Sequence, residues 1–406
     1  MKRFLVFPFI ILAFNALAQF NVITTALPSL GLNADAQLNG TAGIGSVSDE
    51  HSIQGAFSGN PAILANGSKY VSFNLNHTPW GRSLIPERSM NSSQIAFGIN
   101  KNHAFGAQFD YFQFGRFSFS DQFGNFISQS RIHELSLQLN YAFKLSPYWS
   151  IGSAIKYATA NYGQTARTRV FALDLGALYY KELLHSDDLK TFIRWGAGIT
   201  NLGNKAVFDY PGGSISNFIP ITMQTGAMFS ALNKVGNGWL VNNISYQASK
   251  YLVPTPPAYK LDSTLRFPLH DGNGDFIVSS GKNPDVPVVQ GVVQSFYDAP
   301  GITGSYNASG DWEATAGQKM SEEWNEIIHH FAHEIRLELS ENFSLKMREG
   351  LFLEANSKGG RKYFSFAPGI ELYGFRFDYS RWIAFGGNSI LRGTQSFSIG
   401  YHRKFG

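Results

Sequence analysis

The chain has 406 residues, of which 15% are charged, 15% aromatic and 41 are glycine. A typical soluble protein carries about 25% charged residues, yet the mean hydropathy here is only −0.13, which argues against both an ordinary cytoplasmic enzyme and a bundle of membrane helices. The formal charge of +4 falls to +2 (4 − 2) without Lys2 and Arg3, so no bulk charge points to nucleic acid.

The chain opens MKRFLVFPFIILAFNALAQ, with two basic residues, an apolar stretch from Phe4 to Phe14, and Ala16-Leu17-Ala18. This pattern predicts a signal peptide over residues 1–18, cleaved after Ala18. With no cysteine, disulfides, thiolate metal sites and a lipoprotein anchor are not expected. No later run of about 18 apolar residues predicts a membrane helix. An exported chain of this kind enters a membrane only as strands.

Residues 19–69 are small, polar and Gly-rich, without strand rhythm. They are expected to fold back as a plug, because a wide barrel encloses space that its own side chains do not fill. The Gly-rich TAGIGS, residues 41–46, lacks the following Lys-Ser/Thr of a phosphate loop.

From residue 70 the chain alternates. In HELSLQLNYAFKL, Leu135, Leu137, Leu139, Tyr141, Phe143 and Leu145 share one parity, and Glu134, Ser136, Gln138, Asn140 and Lys144 the other. Successive strand side chains point to opposite faces, so the first set is expected to face lipid and the second the lumen. Fourteen such strands are predicted, near 70–78, 92–100, 103–114, 132–145, 148–160, 168–181, 190–201, 220–231, 236–248, 333–341, 343–356, 361–372, 373–384 and 394–405. Connections after even strands are short, as in INKNHA, KLSPYWS, LNKVGN, SENFS and LYGF, while those after odd strands are mostly long. Short periplasmic turns opposed to longer outer loops are the asymmetry of an outer-membrane barrel. KELLHSDDLK, after the sixth strand, is longer than that rule prefers. Trp149 and Trp239 are expected near the inner girdle, and Trp80 and Trp382 near the outer one. The fold class is therefore an all-β transmembrane antiparallel barrel over residues 70–406, of about 14 strands, with an N-terminal plug and one very long extracellular loop.

That loop, residues 249–332, holds the stiff LVPTPPAYKLD, the apolar VPVVQGVVQSFYDAPG and a predicted helix, SEEWNEIIHHFAHE, capped by Ser321 with Glu322 and Glu323 at its positive end. Val288, Val289, Val292, Val293, Phe296, Tyr297 and Trp324 are many apolar residues for a loop in water, so they either pack on the barrel rim or form a contact surface. His329 and His333 would stand one turn apart on such a helix, but the H-E-x-x-H order is absent and a metal is not expected. Asp271, Asn273 and Asp275 copy half a calcium loop, but Lys282 stands where the closing Glu belongs. No nucleophile constellation occurs, so neither catalysis nor a cofactor is expected.

Several stretches resemble the PorV family of the type IX secretion system, whose members look like relatives of the FadL channel. They are ITTALPSLGLNADAQ, GNPAIL, NHTPWGRSLIP, FSDQFGN, LVPTPPAY, PVVQGVVQSFYDAPG with SEEWNEI, and GRKYFSFAPGIELYGFRFDYS. TAGIGSVSDEHSIQGAF and the insertion NASGDWEATAGQKM depart from the family pattern. The resemblance implies an outer-membrane protein that binds the C-terminal sorting domains of secreted cargo at the giant translocon barrel (SprA/Sov-like). It also implies transfer of that cargo to a sortase-like attachment complex (PorU-like) that joins it to lipopolysaccharide. Val289, Val292, Phe296, Tyr297, Asp298, Pro300 and Trp324 are the residues expected to meet such partners. The alternative is a FadL-like channel for hydrophobic small molecules, which requires an apolar lumen.

Overall fold

The computed structural model describes residues 22–49, 51–65, 67–81, 85–163, 166–210, 213–385 and 391–405; the expected signal peptide and its cleavage point lie outside these. Fourteen antiparallel strands close into one barrel. They are β1 (Lys69–Thr78), β2 (Ser89–Gly98), β3 (His103–Ser120), β4 (Phe126–Lys144), β5 (Trp149–Asn161), β6 (Arg167–His185) and β7 (Leu189–Gly203). The second half comprises β8 (Thr222–Val235), β9 (Gly238–Tyr251), β10 (Ile328–Ser340), β11 (Phe343–Leu353), β12 (Lys362–Leu372), β13 (Phe375–Ala384) and β14 (Gln395–Phe405). Closure runs through β1 and β14, with Phe73 opposite Tyr401 and Lys69 opposite Phe405. A closed ladder leaves no sheet edge, as a strand in lipid requires.

Parity assigns the faces. On β4, Leu137, Leu139 and Tyr141 are exposed outward, while Glu134, Gln138 and Asn140 are buried inward. β6 ends at His185 and β7 begins at Leu189, so KELLHSDDLK is mostly strand and its turn is tight. The short-turn rule thus holds after the sixth strand too. The girdle expectation agrees with the outward face of Trp149 and needs correction for Trp80, Trp239 and Trp382. Trp149 points outward and clusters with Tyr179 and Trp195, at ring-centroid distances of 5.1 and 6.3 Å. Trp382 shares the parity of Asp378 and Ser380, faces the lumen, and meets Trp80 edge-on at 5.2 Å. Trp239 also has lumenal parity, with the Lys190 ammonium 5.1 Å above its ring.

β3 and β4 outrun their neighbours. Pairing continues from Gly115–Ile132 to Ser120–Phe126, beyond the last contacts of β2 and β5. The expected ends at 114 and 132 marked where one face stops being buried, not where the strands stop. Asp121 closes the tip by accepting from the amides of Phe123 and Asn125 at 2.8 and 2.9 Å.

The N-terminal segment lies within the lumen. Its helix α1 (Ala36–Gly40) is capped by Asp35, whose carboxylate accepts from Gln37 and Leu38 amides at 2.7 and 3.2 Å. The wall supplies polar partners in turn: Asn39 donates to Ser396 at 2.7 Å, and Gln247 accepts from Gly45 and Ser46 amides at 3.0 and 2.9 Å. Arg336 reaches Asp49 at 2.6 Å, and the Trp382 indole donates to the Asn39 carbonyl at 3.0 Å. A second helix, α2 (Gly55–Ser58), and a 3-10 turn, Pro61–Leu64, bury Phe57, Ile63 and Leu64 against the wall. TAGIGS belongs to this packed segment. A polar lumen therefore receives a chain whose backbone groups are satisfied by the wall, which is what burial of an irregular segment demands.

Candidate partner-binding surface

The long outer connection between β9 and β10 spans residues 252–327 and is folded. Leu252 and Val253 enter a rim core with Phe218, Ile219, Ile221 and Val286. The proline run then holds Thr255, fully buried, beside Asp298 and Glu326: its amide donates to Asp298 at 3.1 Å and its hydroxyl to Glu326 at 2.6 Å. Helix α3 (Val288–Gln294) follows Pro287 and turns one face inward, where Gly291 meets the Phe218 ring and Val288 and Val292 pack on the rim core. Val289 stands on the other face, 75% exposed.

Helix α4 (Ala316–Asn325) differs from the expectation of a helix capped at Ser321. Its cap is Thr315, which accepts from the Gln318 amide while the Gln318 side chain accepts from the Thr315 amide, a reciprocal capping box. Ser321 is therefore mid-helix, and Glu322 and Glu323 lie in its second half rather than at its positive end. IHHFAHE, from Ile328 on, is strand: His330 faces inward, donating to the Ala42 carbonyl at 2.7 Å, while His329 and His333 face outward. Alternation sets these two histidines four strand residues apart, about 13 Å at 3.3 Å per residue, which removes the helical spacing a metal needs.

Glu322 and Glu323 of α4, and Glu326 at its C-cap, act as clamps. Glu322, buried, accepts from the amides of Gly301 and Ile302 at 2.7 and 2.8 Å and from the Lys358 ammonium at 2.7 Å. Glu323 accepts from the Ala299 amide at 2.9 Å. Glu326 takes Lys358 at 2.8 Å and also pairs with Lys250. Lys250 comes from β9 and Lys358 from the β11–β12 connection, so the two cations tie the loop to separate parts of the barrel rim.

The seven residues expected to meet partners thus divide. Val289 and Tyr297, 55% exposed, face water, with Lys282 seated over the Tyr297 ring at 4.0 Å. Phe296, 47% exposed, and Trp324, 65% exposed, lie together on the side of the loop that overhangs the barrel wall. Val292 is half-buried in the rim core. Asp298 is buried, and the Pro300 carbonyl accepts from Ser280 at 2.9 Å, so both belong to the loop's interior scaffold. Lys250, Lys358 and Met320 were not among the expected residues. Asp271, the half calcium loop, closes a hairpin turn by accepting from the Asn273 and Asp275 amides at 2.8 and 3.0 Å.

Burial pushes the Asp298 carboxyl up to about 7, with Glu326 and Glu323 adding to the rise and the Thr255 amide opposing it. Burial raises Glu323 as well. For Glu326 burial is outweighed by Lys358 and Lys250, which hold it below the usual range. An acid whose folded value exceeds its unfolded value of about 3.9 binds more protons when folded, so its contribution is fully present below about pH 4 and is lost as pH rises through about 7. Hydrogen exchange of the peptide spanning 295–302 should therefore speed up between pH 5 and 7, with a slope approaching tenfold per pH unit beyond the chemical exchange rate. Asp298→Asn should flatten that slope; an unchanged slope would remove Asp298 as its source.

A family model described as Type IX secretion system protein PorV matches residues 15–258, which is more than half of the chain. Similar solved structures include a Pseudomonas aeruginosa FadL homologue, 12% identical, covering 95% of this chain and 100% of that chain with a TM-score of 0.44. The Ralstonia pickettii toluene transporter TbuX is 11% identical, covering 93% and 99% at a TM-score of 0.44. The CymD monoaromatic hydrocarbon channel is 10% identical, covering 94% and 99% at 0.46. No curated protein matches the chain. The chain belongs to the PorV family, as an outer-membrane β-barrel component of the type IX secretion system.

Proposed function

We propose that this protein binds the C-terminal sorting domains of secreted cargo at the translocon barrel and passes the cargo to the sortase-like attachment complex. The outer loop is the docking surface. The observation that carries this reading is a folded loop that leaves Val289, Val293 and Tyr297 exposed, although buried ion pairs hold its other side to the rim. A preformed apolar surface loses little entropy on binding, and aromatic anchors dominate such contacts. The lumen offers less to a channel for hydrophobic molecules: a cavity of about 140 Å³ in it sets Gln138, Lys156, Asn201, His330 and Arg361 among Trp80, Phe352, Tyr363 and Trp382, so polar and charged groups interrupt its apolar lining.

Val289→Asp combined with Tyr297→Ala should cost about 2 kcal/mol or more of docking energy if the pair contains a hot spot. In cells carrying this variant, cargo should accumulate with its sorting domain uncut, and translocon and attachment proteins should no longer co-purify. Normal cargo maturation at parental barrel levels would remove the loop from the docking role.

A further inference from the structure

The overhang of α4 makes a groove that the docking reading does not use. Phe296, Met320 and Trp324 form one side; Met223 on β8 and Ala248 on β9 form the other, and Ile327 closes the end, enclosing about 390 Å³. That volume lies within the ~300–1,000 Å³ of small-ligand sites. Met320 and Trp324 are four residues apart on one helix and so share a face. Both are largely exposed, at 61% and 65%.

The position of the groove identifies its occupant. Met223 shares the outward parity of Ala227 and Phe229, and Ala248 that of Ile244 and Tyr246, the columns that face lipid lower on the same two strands. Tyr246 hydrogen-bonds His329 through its hydroxyl at 2.8 Å on that outer face, an aromatic with a polar tip of the kind found where hydrocarbon meets water. The groove begins immediately beyond this level and is continuous with the lipid-facing surface. Lys250, which shares this outward parity, and Glu323 also line the groove, but they pair with each other at 3.3 Å and Lys250 pairs with Glu326 as well, so the charges among its described lining residues are compensated.

We infer that this groove holds the acyl chain of an outer-leaflet lipid, drawn up between α4 and the outer wall of the barrel. Trp324 and Met320 then lie against methylene groups instead of water, which accounts for two large apolar side chains left uncovered at the end of a well-capped helix. The inference does not depend on cargo docking, because it concerns the face of the loop turned toward the membrane.

The test uses the full chain in lipid vesicles containing a phosphatidylcholine with a photoactivatable diazirine near the middle of one acyl chain. After irradiation, mass spectrometry should find adducts in the peptides carrying Met320 and Trp324, besides those on the lipid-facing strands. Ala248→Trp, which fills the groove from an outward strand position, should lower the loop adducts by about tenfold, equivalent to about 1.4 kcal/mol of occupancy. Adducts on Ile244 and Phe229 should stay unchanged, reporting an intact barrel. Labelling confined to the strands, or loop labelling unaffected by Ala248→Trp, overturns the inference. So does a groove unlabelled by lipid in which a photocrosslinker at Met320 captures a translocon protein in cells.

Discussion

Gly196→Val should open the barrel while leaving its wall intact. Gly196 lies on the lumenal face of β7, and a Cβ built there would stand 1.9 Å from the Ser46 carbonyl oxygen and 3.0 Å from the Asn60 amide nitrogen. Gly176 on β6 repeats the arrangement, with a Cβ 2.0 Å from the Asn60 side-chain oxygen. The N-terminal segment approaches the wall at a distance only glycine permits. The strand itself accepts valine readily, since β-branched residues favour extended backbone. The strain therefore falls on residues 45–62. Overpacking costs about 1–3 kcal/mol, and losing the bonds from Asn60 to Ser46 and from Gly45 and Ser46 to Gln247 adds about 1 kcal/mol each. Together these displace residues 45–46 and 60 from the wall and leave that stretch to its other anchors, Asp49 on Arg336 and Asn243, the Ala56 carbonyl on Asn140, and buried Phe57. Cells with Gly196→Val should become sensitive to large antibiotics that an intact outer membrane excludes. Ala197→Val, one residue on and facing outward, should not change sensitivity. Equal resistance in both variants would show that the segment does not seal the lumen.

The barrel was readable because lipid imposes a period of two over long stretches. It failed where that constraint ends. Beyond the rim, both faces of the β3–β4 hairpin meet water, so Phe117, Phe119, Phe126 and Ile127 no longer mark a single buried side. Trp80 and Trp382 were assigned by position along the strand, although the parity of Trp382 with Asp378 and Ser380 already pointed to the lumen. The end of the long loop was misplaced because Trp324, Ile328 and Phe331 fit a helical spacing as well as part of a strand. Strand pairing with β9 and β11 decided in favour of the strand from Ile328. The acidic SEEWNEI run was legible as charged, but not its role: Lys358 lies 32 and 36 residues from its partners, and Lys250 lies 76 from Glu326. Pairings of that kind exist only once the rim brings the strands together. The candidate surface was legible in its residue types and only partly in their direction, since α3 sends Val289 outward and Val292 inward from the same apolar run.

Lys358→Met should release the loop without unfolding the barrel. Lys358 donates to Glu322 at 2.7 Å and to Glu326 at 2.8 Å, and all three side chains are almost fully buried. Removing one member of a buried ionic cluster costs about 3–5 kcal/mol, chiefly because the remaining charges are left uncompensated. The fourteen-strand ladder does not depend on this cluster, whereas α4 meets the β11–β12 connection through it. Limited proteolysis should therefore cut within residues 285–327 in Lys358→Met, while the parent resists and the barrel fragment keeps its heat-resistant gel mobility. Adding Glu322→Gln and Glu326→Gln should recover much of the protection, because the uncompensated charge is then gone. The same variants separate two ways in which the loop can serve docking. Lys358→Met leaves Val289 and Tyr297 chemically intact, so cargo maturation should fall with it only if partners require the surface to be held in place beforehand. Maturation that survives loop release would mean that partners order the loop themselves, and would move the binding energy from preorganisation to contact.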